Sequence, residues 1–347
     1  MEYRLLGRTG LKVSAFCFGA MTFGGSGMFA GVGQTKGADA RRQVDMCLEA
    51  GVNLFDTADV YSNGESEAVL AEALGDRRGQ VLIATKAYGQ MGPGQNDRGA
   101  SRHHLIEACE ASLRRLKTDY IDLYQIHNQD SLTPPEETLR ALDDLVRSGK
   151  VRYIGSSNFS GWYKMKSLAL SDRLGLERYA SQQIQYSLLW RDCEDELLPL
   201  GVDQGVGALI WSPLASGYLS GKFRKGTQGA QTRLGGGRLA AIDTERAHKI
   251  LDVLEAIAGA RSGATASQVA LNWVVRKTGV ASIIIGARTD EQLADNLAAA
   301  TWSLTDEEIA RLDQASATPA RYPYSHHRVF GADRNPLPSL LPPLPAA

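Results

Sequence analysis

The stretch Asn53-Leu-Phe-Asp-Thr-Ala-Asp-Val-Tyr-Ser-Asn-Gly-Glu-Ser-Glu67 decides how the rest of the chain is read. Asn53 to Phe55 have the apolar pattern of a short strand, and Gly64 to Glu67 open a helix. Between them, Asp56 and Tyr61 put an acid and a phenol into a strand-to-helix loop. Such loops, at the C-terminal ends of strands, are where parallel α/β proteins carry their chemistry. Either residue alone is ordinary, because Asp caps helices and Tyr packs loops. Their neighbours give the pair its meaning.

Val81-Leu-Ile-Ala-Thr-Lys86 is an apolar strand ending on a lysine, and Ile121-Asp-Leu-Tyr-Gln-Ile-His127 is a strand ending on a histidine. Three successive strands thus deliver Asp56 and Tyr61, then Lys86, then His127, and in a parallel barrel those ends converge on one face. A buried lysine beside Tyr61 favours the phenolate and lowers the phenol pKa, while Asp56 keeps the lysine charged. His127 can hydrogen-bond the same substrate oxygen. The set is suited to protonating a carbonyl oxygen while something else attacks the carbon, and needs neither a metal nor a nucleophilic serine.

The rest of the chain repeats this strand-and-helix rhythm. A Gly7 to Gly10 turn makes a hairpin of the N-terminus, and Val13 to Ala20 is the first barrel strand. Helices are expected at about Arg41 to Ala50, from Gly64 through Leu74, and at about Ser101 to Leu116, Pro135 to Ser148 and Trp162 to Asp172, with another starting at Glu194. The remaining strands are Val151 to Asn158, Gln182 to Leu188, Gly207 to Pro213 and Ala281 to Gly286. Thr265-x-x-Gln268 and Thr305-x-x-Glu308 have capping-box spacing, opening the seventh barrel helix and a late extra helix. Apolar strands alternating with amphipathic helices predict a parallel sheet covered by helices, and eight units predict a (β/α)₈ TIM barrel over residues 1–318. Residues 319–347, rich in Pro, Tyr and His, are expected to hold no regular element and to lie partly over the barrel mouth, ending in an extended or disordered Pro-Leu run.

Some motifs are decoys. Gly25-x-Gly27-x-x-Ala30, with Asp45 downstream, fits a dinucleotide fingerprint, but that fingerprint needs a helix to start at once. Gly31, Gly33 and Gly37 continue the loop instead, and no apolar periodicity starts before Val44, so Gly24 to Gly37 reads as a flexible substrate-side flap. The pairs His103-His104 and His326-His327 lack a third ligand at zinc-like spacing. Tyr163-Lys-Met-Lys166 has the wrong spacing for a Tyr-x-x-x-Lys catalytic pair and reads as helix surface. Lys222 to Ala241 is long, glycine-rich and basic, which suits a mobile clamp over an anionic cofactor.

Composition sets the limits. The chain has 347 residues, enough for one large barrel, and 43% of them are hydrophobic. Its 38 basic residues nearly balance its 39 acidic ones, so nothing global points to nucleic acid or an anionic membrane surface. Cys17, Cys47, Cys109 and Cys193 are scattered and read as reduced, buried thiols, and the N-terminus lacks a signal-peptide layout. The expectation is a soluble cytoplasmic protein.

The quartet Asp56, Tyr61, Lys86 and His127 resembles the catalytic tetrad of the aldo-keto reductase superfamily residue by residue, and the similarity runs from about Gly7 to Leu312. The likeness is to bacterial-type NADP-dependent oxidoreductases near the potassium-channel β-subunit-like branch. The resemblance implies that the hairpin plugs the barrel's N-terminal end and that the enzyme interconverts a carbonyl and an alcohol using NADPH, with NAD as the alternative. His127 matches the carbonyl reducers rather than the steroid double-bond reducers, which carry Glu there. Ser157, Asn158 and Gln183 offer groups to grip a carboxamide, and Trp211 a flat face for a nicotinamide ring. By resemblance, Ser212, Leu214 and Gly217 lie along the pyrophosphate, Arg288 and Gln292 near a 2′-phosphate, and Asp295 and Asn296 near the adenine. Gly19, Met21, Lys222, Arg233 and Gly286 complete the implied cofactor contacts. Gly286 stands where one common family pattern has a lysine, and Arg288 favours NADP because a guanidinium pairs well with phosphate. The implied partners are a small-molecule carbonyl or alcohol and, as an open option, further copies of the chain. Rival classes are a nucleotide-sensing module like the channel β-subunits and a metal-dependent barrel hydrolase. The first would need an extended N-terminal segment or an assembly surface, and this chain is read as starting almost at the hairpin.

Overall fold

Side chains alternate across a β-strand, so one face of each strand can line a barrel while the other meets a helix layer. In the computed structural model, which describes residues 1–222, 243–331 and 333–334, eight strands use this alternation to close a parallel barrel. They are β3 (Phe16–Gly19), β4 (Leu54–Asp56), β5 (Leu82–Ala87), β6 (Ile121–Ile126), β7 (Val151–Ser157), β8 (Ser181–Gln185), β9 (Gly207–Trp211) and β10 (Val280–Ile285), with β10 pairing back onto β3. Before them, β1 (Tyr3–Leu5) and β2 (Lys12–Ser14) form an antiparallel hairpin.

The helices are α1 (Gly37–Glu49), α2 (Glu65–Leu74), α3 (Arg102–Leu116), α4 (Pro135–Arg147), α5 (Gly161–Leu174), α6 (Leu197–Gln204), α7 (Thr244–Gly259), α8 (Ala266–Val275), α9 (Asp290–Ala298), α10 (Asp306–Ala315) and α11 (Tyr324–Phe330). Their apolar faces and the outward strand residues make one large core, which includes Val44, Leu70, Leu105, Leu142, Leu168 and Leu254.

The barrel interior is layered. Leu54, Ala84, Leu123 and Leu209 form a small apolar cluster with Cys17 and with Leu6 and Val13 of the hairpin region. Two residues further along the same strands, the inward positions become Asp56, Lys86, Gln125 and Trp211. The interior is therefore apolar at the plugged end and polar at the open end. Gly155 lets this layer close: a Cβ there would lie 2.3 Å from Ser181 Oγ and 3.0 Å from Gln125 Cγ.

Several local expectations are corrected. Val13 belongs to the hairpin, and the first barrel strand is confined to Phe16–Gly19. The Ser181–Gln185 and Gly207–Trp211 strands stop before Leu188 and Pro213. Helix α1 begins at Gly37, well before Val44, and α6 begins at Leu197, not Glu194. Helix α7 is an element that the pattern reading does not provide. Thr305 and Glu308 form a full capping box, whereas Thr265 caps α8 alone, because Gln268 Nε2 donates to Asp295 instead. Tyr163 and Lys164 are buried, not helix surface: Lys164 Nζ bonds Ser156 Oγ and sits 4.3 Å over the Tyr179 ring. The tail does contain a regular element, α11, docked by Tyr324 to Glu196, Arg321 to Asp192 and Arg328 to Asp195. Tertiary ion pairs hold this short helix, and no local periodicity announces it. The final Pro-Leu run and most of the Lys222 to Ala241 segment, including Arg233, lie outside the described residues.

The plug has a sharp test. Gly7 sits at φ +61°, and a Cβ would lie 2.3 Å from Gly205 O. Gly7→Ala should cost about 2–3 kcal/mol through strain and clash, lowering the urea midpoint with an unchanged m-value. An unchanged midpoint would mean that the hairpin does not press on the barrel as described.

Candidate active site

At the open end of the barrel, Lys86 Nζ lies 2.6 Å from Asp56 Oδ1 and donates to the Thr57 carbonyl at 2.7 Å. It reaches Tyr61 Oη at 3.5 Å and stands 5.0 Å from the ring centre. The ion pair is out of water, with side-chain exposures of 0% for Lys86 and 4% for Asp56. The second carboxylate oxygen of Asp56 accepts from Gln183 Nε2 at 2.7 Å and from Gln125 Nε2 at 3.3 Å. Tyr61 and His127 are half-buried at the rim, their rings edge to face at 5.6 Å. The four residues expected at successive strand ends are thus brought together.

The turn that carries Tyr61 is held from outside. Ser62 and Asn63 adopt left-handed conformations at φ 50° and 54°, unusual for residues other than glycine. The Gly24 to Gly37 segment, read as a flap, grips this turn: the Gly25 N–H donates to Ser62 Oγ, and Ser26 Oγ donates to Ser62 O at 2.6 Å. The same segment sets Phe29 edge-on to Tyr61 at 5.1 Å. Asp45, the acid of the decoy fingerprint, pairs with Arg77.

The strand ends opposite carry the cofactor candidates. Ser157 Oγ and the Asn158 N–H both donate to the Gln183 carbonyl, Asn158 Nδ2 donates to the His127 carbonyl, and Trp211 Nε1 donates to Asn158 Oδ1 at 3.1 Å. After β9 the chain takes positive φ at Ser212, Ala215, Ser216 and Gly217, with Leu214 between them. Such alternation of backbone hand makes concave N–H sites suited to anions. Gly19 ends β3 and Met21 follows it, while Lys222 lies past the β9 loop. Past β10, Gly286 leads to the N-terminus of α9. There Arg288 is exposed, and its N–H donates to Gln292 Oε1 at 3.0 Å. Asn296 is buried against the Gly286 carbonyl, and the Asp295 carboxylate is taken by Thr265 and Gln268. An exposed arginine at a helix N-terminus and a run of inverted backbone upstream fit the phosphates of a dinucleotide.

Residues 15–317 match the model of the aldo/keto reductase family. The chain belongs to that family. It is 40% identical over 326 residues to the uncharacterized oxidoreductase YrpG of Bacillus subtilis (strain 168), covering 90% of this chain and 94% of that one. It is 35% identical over 342 residues to a probable voltage-gated potassium channel subunit beta of Arabidopsis thaliana, covering 94% and 100%. A putative subunit of the same kind from Schizosaccharomyces pombe is 37% identical over 328 residues, covering 90% and 93%.

In this aldo/keto reductase the site's electrostatics follow from burial. Burial alone would depress the Lys86 ammonium, but Asp56 and Tyr61 outweigh it and hold its pKa above the ordinary lysine value. Burial raises the Tyr61 phenol, and the pull of Lys86 does not cancel that rise. The expected lowering of the phenol is therefore corrected: in the protein without ligand, Tyr61 is a neutral acid that holds its proton. Burial and then Lys86 push His127 down to about 3, so its imidazole is neutral. All four cysteines are free and buried. Among the described residues no cluster of His, Cys, Asp and Glu is placed to hold a metal, and no helix is long and apolar enough to cross a membrane.

Sequence reasoning missed Gln125, Phe29 and Asp59. Gln125 had a signal, since alternation through Leu123, Gln125 and His127 puts a lone amide on the inward face. Phe29 and Asp59 had none.

His127 gives a pH prediction. Its folded pKa lies below the ordinary value of about 6.5, so the stability tied to its neutral form is present above that pH and is lost as pH falls toward 3. Between about pH 7 and about pH 4.5, His127→Gln should lose less stability than wild type by on the order of 1–2 kcal/mol, read from urea midpoints. Parallel losses would show that the imidazole is not held neutral.

Proposed function

We propose that the protein is an oxidoreductase that reduces an aldehyde or ketone to the alcohol, reversibly, with NADPH as cofactor. The observation that carries this reading is the buried Lys86–Asp56 pair, with its ammonium 3.5 Å from the phenol of Tyr61. When bound, the nicotinamide would supply the hydride for the carbonyl carbon. Tyr61, protonated and at the rim, gives its proton to the carbonyl oxygen as negative charge develops there. Lys86 stabilises the phenolate that remains, and Asp56 keeps Lys86 charged through the cycle. The neutral His127 imidazole donates a hydrogen bond that orients the carbonyl. In the reverse direction the Tyr61 phenolate is the base for alcohol oxidation.

Ser157, Asn158 and Gln183 would hold the carboxamide and Trp211 the ring, with Ser212, Leu214 and Gly217 along the phosphates. Arg288 and Gln292 would hold a 2′-phosphate, which is the basis for NADPH over NADH. Asp295 would act on the adenosine end only indirectly, because its carboxylate is occupied by Thr265 and Gln268. The name of the Bacillus relative supports the oxidoreductase class. The potassium-channel-subunit relatives support a second reading, a module that binds the nucleotide in order to sense it, and this reading predicts binding without turnover.

Two measurements test this. Tryptophan fluorescence should be quenched by NADPH at about tenfold or more lower concentration than by NADH, and Arg288→Ala should remove most of that difference. Tyr61→Phe should lower the rate of carbonyl reduction by about a hundredfold or more while leaving the NADPH dissociation constant within about twofold. Full activity in that variant would sink the mechanism, and binding with no turnover of any carbonyl in wild type would favour the sensing module.

A further inference from the structure

Asp59 lies two residues before Tyr61 and is fully buried, at 0% exposure. Neither of its carboxylate oxygens has a hydrogen-bond partner among the described residues, and the nearby Val60 N–H makes no bond of good geometry to it. Its backbone N–H donates to the Lys86 carbonyl at 3.1 Å, which ties it to the strand that carries the lysine. A buried polar group without a partner is costly, and an unpaired buried charge far more so.

The charges around it are already balanced without it. On α2, Glu67 is completely buried, accepts from Thr85 Oγ1 at 2.5 Å, and pairs with Arg115 of α3 at 2.6 Å. On β5, Lys86 is neutralised by Asp56. From β6, Tyr124 brings a buried phenol whose hydroxyl donates to the Leu105 carbonyl. Each nearby cation therefore has its own anion, and an ionised Asp59 would be a third anion beside two cations. Burial first, and then Glu67, push the Asp59 carboxyl up to about 8, against the pull of Arg115, Val60 and Lys86. A negative Asp59 in turn raises the proton affinity of Tyr61.

We propose that Asp59 is a positioning residue for Tyr61: a buried carboxyl that is neutral near neutral pH, and whose ionisation holds the proton on that phenol as the solution turns alkaline. The effect on turnover rests on the carbonyl-reductase reading, whereas the protonation of Asp59 does not. With Asp59 neutral the phenol ionises more easily. With Asp59 charged the phenolate is opposed, so reduction persists to higher pH and alcohol oxidation sets in later.

The test variant is Asp59→Asn, which keeps the shape and fixes the neutral form. In the pH profile of kcat/KM for carbonyl reduction, its alkaline limb should move to lower pH by roughly half a unit or more, about threefold in proton affinity, with NADPH binding unchanged. Limbs that superimpose would overturn the proposal. Two measurements do not depend on turnover. In wild type labelled with ¹³C-aspartate, the infrared carbonyl stretch of a protonated carboxyl should be present near neutrality and vanish as pH rises through about 8. Its absence near neutrality would overturn the proposal even if the variant fails to fold. The phenolate absorbance of Tyr61, taken as the difference from Tyr61→Phe, should appear at lower pH in the Asp59→Asn background. No shift would overturn the coupling even if no carbonyl is ever turned over.

Discussion

The structure depends on one ion pair, Lys86 with Asp56, held inside a barrel from which water is excluded. Removing two charges from water costs several kcal/mol for each, and their attraction repays that only if the remaining hydrogen-bonding capacity is met. Here it is met by the Thr57 carbonyl on the lysine side and by the Gln183 and Gln125 amides on the carboxylate side. Counting the pair itself, these groups come from four of the eight strands, β4, β5, β6 and β8, so the pair ties the register of those four together. The apolar layer below it, sealed by the hairpin's Leu6 and Val13, keeps the local dielectric low enough for the lysine to act strongly on the phenol above.

The same network joins the two halves of the site. Strands β4 to β6 lead into Asp56, Tyr61, Lys86 and His127, and β7 to β10 lead into the residues proposed to hold a dinucleotide. Gln183 bonds Asp56 with its amide and receives Ser157 and Asn158 on its carbonyl. Asn158 then reaches the His127 carbonyl and receives Trp211. A ligand that displaces any of these amides acts on the carboxylate or on the histidine's backbone within one or two bonds.

Above the barrel, the glycine-rich segment after β3 does more than cover the mouth. By bonding Ser62 it supports the left-handed turn that follows Tyr61, and it places Phe29 edge-on to the Tyr61 ring, which also meets His127 edge to face. Backbone held in sparsely populated regions persists where its surroundings over-determine it, and Ser62 and Asn63 meet that condition.

The sequence by itself determined the barrel and the grouping of Asp56, Tyr61, Lys86 and His127. Strand and helix periodicity are local, so eight alternating units could be read from pattern, and the C-terminal ends of three successive strands put Asp56, Tyr61, Lys86 and His127 on one face of the barrel. Where contacts are long-range, the pattern was silent or misleading. Helix α11 is held by ion pairs to Asp192 and Asp195, more than a hundred residues away, and Lys164 looks like a surface lysine until its neighbours on β7 and β8 close over it. The sign of the Tyr61 shift was also beyond the sequence. The chain shows that a lysine is near, but only the tertiary structure shows that desolvation outweighs it. Asp59 differs from Asp56 by three positions and not at all in chemistry. Which of the two finds a lysine and two amides, and which is buried without a partner, is decided by packing, because burial and partner geometry belong to the folded chain and not to the residue.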